Sequence, residues 1–196
     1  MICYVFDLDD TLMQTSRLSH EFDNMQRNII RSGINPEIHG NLVQNYYDHI
    51  VPSEPHLYHL LSNLKGPKII LTNSSGNHAK YSLQAMRLNN HFYKIVNANS
   101  LNFIVKPHVN AYLNAEKSVR SISPLSSWNF IFFDDLVENL NAAKKMGWVT
   151  VLVNKDYPHY SKEKLKQVDY AFHDIYQALF YFVSIQNRTS VPVQYK

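Results

Sequence analysis

Short apolar runs alternate with helical patterns along most of the chain. Five runs rich in Val, Ile, Phe and Tyr predict strands: Ile2–Asp7, Lys68–Thr72, Lys94–Asn97, Asn129–Asp134 and Val149–Val153. The runs are continuous rather than alternating, as expected of strands buried on both faces of a sheet. Helical patterns fall between and after them, at Asn77–Leu88, His108–Val119, Leu136–Met146 and His173–Val183. This order predicts an α/β fold, a Rossmann-like three-layer sandwich with a parallel sheet.

One interval, residues 14–65, breaks the alternation. Three helical patterns follow one another there without a strand between them: Arg17–Ser32, Glu37–Ile50 and Glu54–Leu64. The interval is far longer than the loops of compact domains. We therefore expect a small helical cap, inserted after the first strand into a core formed by residues 1–13 and 66–184. Residues 185–196 are expected to be a frayed C-terminal tail.

Composition and charge narrow the functional classes. The 196 residues are 45% hydrophobic, which predicts one domain with at most a modest insertion. The net charge is +3, with 19 basic and 16 acidic side chains, and no basic stripe that would favour nucleic acid. The single cysteine, Cys3, excludes an intrachain disulfide and favours a reducing compartment. With no signal peptide and no membrane-spanning run, we expect a cytoplasmic protein without a membrane partner.

Two carboxylates stand at the carboxyl end of the first predicted strand. Asp7 and Asp9 lie two positions apart in the sequence FDLDDTL. Ligands bind at this edge of open parallel sheets. Two uncompensated acids would repel each other, so a divalent cation or a shared proton is expected between them. The alternative is a solvated loop in which Asp9 or Asp10 caps a helix.

A second acid pair, Asp134 and Asp135, ends the fourth predicted strand in the sequence FFDDLVENL. Asp135 could be the N-cap of the next helix, with Glu138 completing a capping box. That interpretation leaves Asp134 without a role. Together with the first strand, Asp134 would supply one of three hard oxygen ligands of the kind Mg²⁺ prefers.

Two further sequences carry hydrogen-bond donors, one at a predicted strand end and one before a predicted helix. Thr72 and Asn73 end the second strand in LTNSSGNH, and their donors together with a helix N-terminus suit a phosphate. An ordinary strand-to-helix turn would use the same residues. Lys106 precedes Pro107 before another helix, where a lysine is usually solvated and the proline starts the helix.

The order of these sequences along the chain resembles the four motifs of the haloacid dehalogenase superfamily of phosphohydrolases. The resemblance implies that Asp7 is the nucleophile and forms an aspartyl-phosphate, with Asp9 as general acid and then general base. It also implies that Mg²⁺ is held by Asp7, the backbone carbonyl of Asp9, and Asp134. The aspartate at position 9 favours a phosphate ester over an organohalide as the substrate, because the dehalogenating branch has a different residue in place of this second aspartate.

The same resemblance implies roles for the remaining motif residues. Thr72, Asn73 and Lys106 would hold the phosphate oxygens, and Lys106 would also pair with the nucleophile. Asp135 would either orient its neighbours or cap the helix, and these two interpretations stay open.

Within the superfamily, residues 36–153 are most similar to the pyrimidine 5′-nucleotidase-type group. The similar stretches are HGNL (39–42), LTNSSGNHAKYSL (71–83), KPHVNAY (106–112) and FFDDLVENLNAAKKMGWVTVLV (132–153). The resemblance implies a small phosphorylated substrate, a pyrimidine nucleoside monophosphate, which His39 and Asn41 of the cap would contact. Another small phosphorylated metabolite, a phosphoprotein substrate, and a catalytically idle interaction module are the alternatives.

Several aromatic and histidine side chains of the predicted cap are further candidates for substrate contact. A cap aromatic at the mouth of the site could stack on a base. At helical spacing such residues more often form the core of the subdomain. The candidates are Phe22, Tyr46, Tyr47, His49 and His56.

Overall fold

A six-stranded parallel sheet lies at the centre of the computed structural model, which describes residues 1–35, 37–124 and 127–189. The strand order is β3-β2-β1-β4-β5-β6, so β1 lies between β2 and β4. The strands are β1 (Ile2–Phe6), β2 (Lys68–Leu71), β3 (Lys94–Val96), β4 (Asn129–Asp134), β5 (Val149–Val153) and β6 (Tyr170–Phe172). The predicted α/β fold class is confirmed.

The register of the central strands sets up the edge where the predicted site residues lie. Phe6 at the end of β1 is opposite Ile70 of β2 and Phe133 of β4. The carboxyl ends of the three strands therefore meet, and the polar residues that follow them are brought together. Five of the six strands were predicted. β6 was missed because three partly exposed residues carry too short a pattern.

Eight α-helices and three short 3₁₀ helices surround the sheet within the described residues. The α-helices are α1 (Ser19–Arg31), α2 (Gly40–Ile50), α3 (Pro55–Asn63), α4 (Gly76–Ala85), α5 (Val109–Arg120), α6 (Val137–Lys145), α7 (Lys162–Leu165) and α8 (Ile175–Thr189). The 3₁₀ helices are Thr15–Leu18, Asn89–His91 and Tyr157–His159. None of the described helices is long and apolar enough to cross a membrane.

The two faces of the sheet carry separate cores, because side chains alternate along each strand. On one face, Tyr4 and Phe6 of β1 pack with Phe133 and with α8. On the other face, Val5 of β1 joins a cluster that includes buried residues of α5 and α6. These two apolar layers hold the strand ends in place beneath the site.

The interval predicted as a cap contains helices of two kinds. Helix α3 packs against α8, and Leu57, Leu61 and Leu64 are fully buried in the core on that face of the sheet. Helix α3 therefore belongs to the layer that covers the sheet. Helices α1 and α2 contribute residues to the cavity at the strand ends, and α2 packs on α4. Of the three helices, α1 and α2 are thus the ones that face the cavity.

The last helix continues past the predicted end of the core. Helix α8 runs to Thr189, so a tail does not begin at residue 185. Ile185 packs against the core, and Gln186 exchanges hydrogen bonds with the backbone of Lys65. These contacts explain why the helix persists. The rest of the predicted tail, residues 190–196, lies outside the described residues.

Candidate active site

The site is built around a buried lysine that joins two buried aspartates. Asp7 is the first residue after β1, and its backbone N–H donates to Phe133 O at 2.9 Å. Lys106 Nζ lies 2.7 Å from Asp7 Oδ1 and 2.7 Å from Asp134 Oδ2. Lys106 and Asp134 are 3% and 0% exposed, so this ion-paired group is almost entirely removed from water.

Asp134 is held at the start of helix α6. Its Oδ1 accepts the backbone N–H of Leu136 at 2.8 Å, and Asn139 Nδ2 lies 3.1 Å from both carboxylate oxygens. The N-cap of α6 is Leu136, with no side-chain cap bond. The interpretation of Asp135 as the N-cap, with Glu138 in a capping box, is therefore wrong. The helix begins at Val137, one residue later than predicted, so the N-cap position falls on Leu136 instead of Asp135.

Asp135 is placed beside the two buried aspartates. One ligand atom from each of Asp7, Asp134 and Asp135 lies within 4.8 Å of the others. With all groups ionised, three carboxylates and the Lys106 ammonium carry a formal charge of −2. This hard oxygen set and its charge suit one divalent cation such as Mg²⁺. The Asp9 side chain is not part of this cluster.

The Asp9 carboxylate is held by three side chains. Thr15 Oγ1 donates to Oδ1 at 2.6 Å, and Ser74 Oγ donates to Oδ2 at 2.5 Å. His78 Nε2 lies 2.9 Å from Oδ1. Asp9 therefore points toward the 3₁₀ helix after β1 and the start of α4. His78 was missed as a site residue, because a single histidine in a helical pattern carries no signal of its own.

Thr72, Asn73 and Lys106 lie together, but they use their polar groups differently. Thr72 Oγ1 accepts the Ser74 N–H at 3.1 Å, which leaves its own proton available to a ligand. The Asn73 side chain bonds to the backbone of Lys106, with its Nδ2 3.0 Å from Lys106 O and its Oδ1 2.9 Å from Lys106 N. Asn73 therefore fixes the backbone of Lys106, and its side-chain amide is already engaged.

Burial shifts the pKa values of the buried groups of the site, and the neighbouring charges add to that shift or oppose it. Burial raises the pKa of Asp7, and Asp134 adds to the rise, although Lys106 opposes it. Burial lowers the pKa of Lys106, but the attraction of Asp134 and Asp7 outweighs it, so that pKa is raised overall. Burial raises the pKa of Asp135 to about 7, with Asp134 contributing. A cation beside Asp7 would counter the desolvation that disfavours its charged form.

Asp9 differs from this cluster. Burial raises its pKa, but the hydrogen bonds and charge of His78, followed by the bonds from Ser74 and Thr15, outweigh burial. The pKa of Asp9 therefore lies below its usual value.

A cavity of about 890 Å³ opens above the strand ends. Asp7, Asp9, Thr72, Asn73 and Lys106 line its floor. Its apolar wall comes from α1 and α2, through Phe22, Met25, Ile29, Val43 and Tyr47.

The two predicted cap contacts, His39 and Asn41, do not line this cavity. Asn41 lines a separate pocket with Lys80 and Gln84. His39 Nδ1 lies within hydrogen-bond distance of the backbone of Asn35. The structure therefore does not bring His39 and Asn41 to the site, because both stand at the start of α2, away from the face that meets the cavity.

Comparisons with solved structures place the fold. The HAD-hydrolase YfnB from Bacillus subtilis, bound to magnesium, superposes with a TM-score of 0.62 at 14% identity, covering 92% of this chain and 97% of that one. A HAD phosphatase from Thermococcus onnurineus gives 0.58 at 17% identity, covering 91% and 96%. L-2-haloacid dehalogenase from Xanthobacter autotrophicus, with chloropropionic acid covalently bound, gives 0.56 at 14% identity, covering 85% and 82%.

No protein-family model and no curated protein matches the sequence. The structural neighbours include a phosphatase and a dehalogenase, so the likeness by itself does not choose between the two chemistries. The strand order, the helical layers and these superpositions agree with one another. The chain has the fold of the haloacid dehalogenase-like hydrolases.

Proposed function

We propose that this protein is a Mg²⁺-dependent phosphomonoester hydrolase that acts through an aspartyl-phosphate. The observation that carries the proposal is the group formed by Asp7, Lys106 and Asp134, buried beside the cavity that Asp9 also lines. Two acids facing one cavity with different partners suit two different chemical roles. A catalytically idle module would gain nothing from retaining buried acids that repel one another.

In the first step, a carboxylate oxygen of Asp7 attacks phosphorus and forms a P–O bond. The bond from phosphorus to the leaving oxygen breaks and its electron pair stays on that oxygen. The protonated form of Asp9 gives that oxygen its proton and becomes a carboxylate. In the second step, the Asp9 carboxylate takes a proton from water while the water oxygen attacks phosphorus. The bond to Asp7 breaks, orthophosphate leaves, and both aspartates return to their starting forms.

The remaining residues bind and orient the phosphate. Lys106 and the hydroxyl of Thr72 offset charge on its oxygens, and Asn73 contributes through its main chain because its side chain holds Lys106. Asp7, Asp134 and Asp135 would hold Mg²⁺, together with the backbone carbonyl of Asp9. The bound ion would supply electrostatic stabilisation of the transferring phosphoryl group.

The substrate we propose is a small one, a pyrimidine nucleoside monophosphate. The sequence resemblance supports this choice, and the apolar cavity wall from α1 and α2 supports a compact, flat leaving group. Another small phosphorylated metabolite is the main alternative. A phosphoprotein fits less well, because α1 and α2 roof part of the cavity.

The test is hydrolysis of p-nitrophenyl phosphate and the four nucleoside monophosphates, with and without EDTA. We expect Mg²⁺-dependent turnover, with kcat/KM higher for UMP and CMP than for AMP and GMP. Asp7→Asn should be inactive, because an amide is a poor nucleophile, whereas Asp48→Asn on the exposed side of α2 should match the wild type. More than a few per cent residual activity in Asp7→Asn would refute the covalent mechanism. Equal values for the four nucleotides would refute only the pyrimidine assignment.

A further inference from the structure

We infer that His78 is a positioning residue for Asp9, and that Tyr47 of α2 holds His78 in place. The inference rests on the proposed phosphohydrolase function and adds a link from the cavity wall to the general acid. Tyr47 Oη lies 2.9 Å from His78 Nδ1, and His78 Nε2 lies 2.9 Å from Asp9 Oδ1. The three side chains form one continuous hydrogen-bonded chain.

The direction of the hydrogen bonds follows from the chemistry of the end groups. Once Asp9 has given its proton to the leaving oxygen, its carboxylate can only accept hydrogen bonds, so in that form His78 Nε2–H donates to Asp9 Oδ1. In the neutral ring, Nδ1 then accepts from the Tyr47 hydroxyl. Tyr47 thereby selects the tautomer that presents an N–H to Asp9.

The position of the His78 ring is fixed from several sides. Its backbone is anchored in the first turn of α4, where the Ser75 side chain accepts the His78 N–H at 3.2 Å. The ring packs against Phe22 of α1, with centroids 5.4 Å apart, and against Tyr47, with centroids 5.7 Å apart. The position of the His78 ring, and with it the hydrogen bond to Asp9, therefore depends on where α1 and α2 lie.

The three donors to Asp9 come from different elements. Thr15 belongs to the 3₁₀ helix after β1, and Ser74 belongs to the turn between β2 and α4. His78 is the one that itself bonds to α2. Without the His78 bond, the Asp9 carboxylate would be held by the Thr15 and Ser74 hydroxyls alone, and its position would be less well fixed. The general acid would then meet the leaving oxygen less often in the productive geometry.

This role predicts an effect that depends on the leaving group. Protonation by Asp9 matters most for an alkoxide such as a nucleoside 5′-oxygen, and least for p-nitrophenolate, which leaves readily as an anion. The quantity to compare is kcat/KM, since it reports the steps up to formation of the aspartyl-phosphate. His78→Leu should lose about 10- to 100-fold on an alkyl or nucleoside monophosphate, and less than about threefold on p-nitrophenyl phosphate.

Three further variants complete the experiment. His78→Gln retains an N–H donor and should recover part of the loss on the alkyl substrate. Tyr47→Phe removes only the hydroxyl and should shift the same ratio of the two substrates in the same direction by a smaller factor. Tyr93→Phe is the control for loss of a phenolic hydroxyl, because Tyr93 is an exposed tyrosine just before β3, and it should leave the ratio unchanged. If His78→Leu does not fold, Tyr47→Phe carries the test.

The outcomes separate the two proposals. A wild type that hydrolyses phosphomonoesters, with Asp7→Asn inactive, supports the proposed function. If the ratio of the two substrates then stays at the wild-type value in His78→Leu and Tyr47→Phe, the positioning role is refuted and the function stands. An equal loss on both substrates also refutes it, since a merely structural role would act on both. A wild type without phosphatase activity refutes both proposals.

Discussion

Replacing Lys106 by methionine tests how strongly the buried Lys106 ammonium stabilises the two aspartates that it contacts. The Lys106 ammonium contacts Asp7 and Asp134 at 2.7 Å each, and its side chain is almost wholly buried. Methionine keeps most of the stem volume but leaves two buried carboxylates facing each other without a counterion. Removing one partner of a buried ion pair costs about 3–5 kcal/mol. We expect Lys106→Met to lower the free energy of unfolding of the metal-free protein by about that amount.

Thermal unfolding in EDTA measures this loss. For a domain of this size, 1 kcal/mol corresponds to roughly 2–4 °C, so we expect Tm to fall by about 6–20 °C. Lys145→Met is the matched control, because Lys145 is an exposed lysine of α6. That substitution should change the stability by less than about 0.5 kcal/mol. An unchanged Tm for Lys106→Met would refute the view that Lys106 stabilises the aspartates.

A double variant separates charge from packing. In Lys106→Met combined with Asp7→Asn, one of the two uncompensated carboxylates is neutralised. If charge is the cause, the double variant should be more stable than Lys106→Met alone, because the two changes are coupled through a direct contact. If the two losses simply add, the destabilisation comes from packing and the electrostatic argument fails.

Three further predictions concern the metal, acid stability and the core. Asp134→Asn should strongly raise the Mg²⁺ concentration for half-maximal rate, because a hard cation prefers a charged oxygen; an unchanged value with a lower maximal rate would contradict its role as a ligand. Asp169 has a pKa lowered despite burial, by bonds from Lys144 and Thr150, so its stabilisation is present above about pH 4 and lost below it. The difference in Tm between wild type and Asp169→Asn should therefore narrow as the pH falls below about 4, and a constant difference from pH 7 to 3 would contradict this. Leu57→Ala should cost about 2–5 kcal/mol in urea unfolding if α3 belongs to the core, and a loss below 1 kcal/mol would contradict that placement.

The sheet and the acids at its edge were predictable because their physical requirements are local. A strand buried on both faces needs a continuous apolar run, and the chain supplies five of them. Polar residues directly after such runs must gather at one edge of a parallel sheet, which is where Asp7 and Asp134 lie. Lys106 was predictable only from the order of the motifs. A lone lysine in sequence does not show that it will be buried between two acids.

The features that sequence reasoning missed depend on contacts between distant elements. Helix α3 looks like the other helices of the inserted interval, and only its packing against α8 shows that it covers the sheet. The end of α8 is stabilised by Gln186 bonding to Lys65, which is 121 residues away. Asp135 loses the N-cap position because α6 begins at Val137 rather than at Leu136, a shift of one residue that periodicity does not resolve.

The side chains of the site form two groups that depend differently on α1 and α2. Asp7, Lys106 and Asp134 bond to one another and to elements of the sheet layer, so their arrangement does not require the helices above them. Asp9 is different, because one of its donors is held by Tyr47 of α2. A change in α1 or α2 should therefore affect leaving-group protonation and substrate choice together, while the nucleophile and its cation partner stay in place. Under the proposed function, His78 would therefore couple the cavity wall to proton transfer, although it lies outside the acid pairs from which the sequence predicts the site.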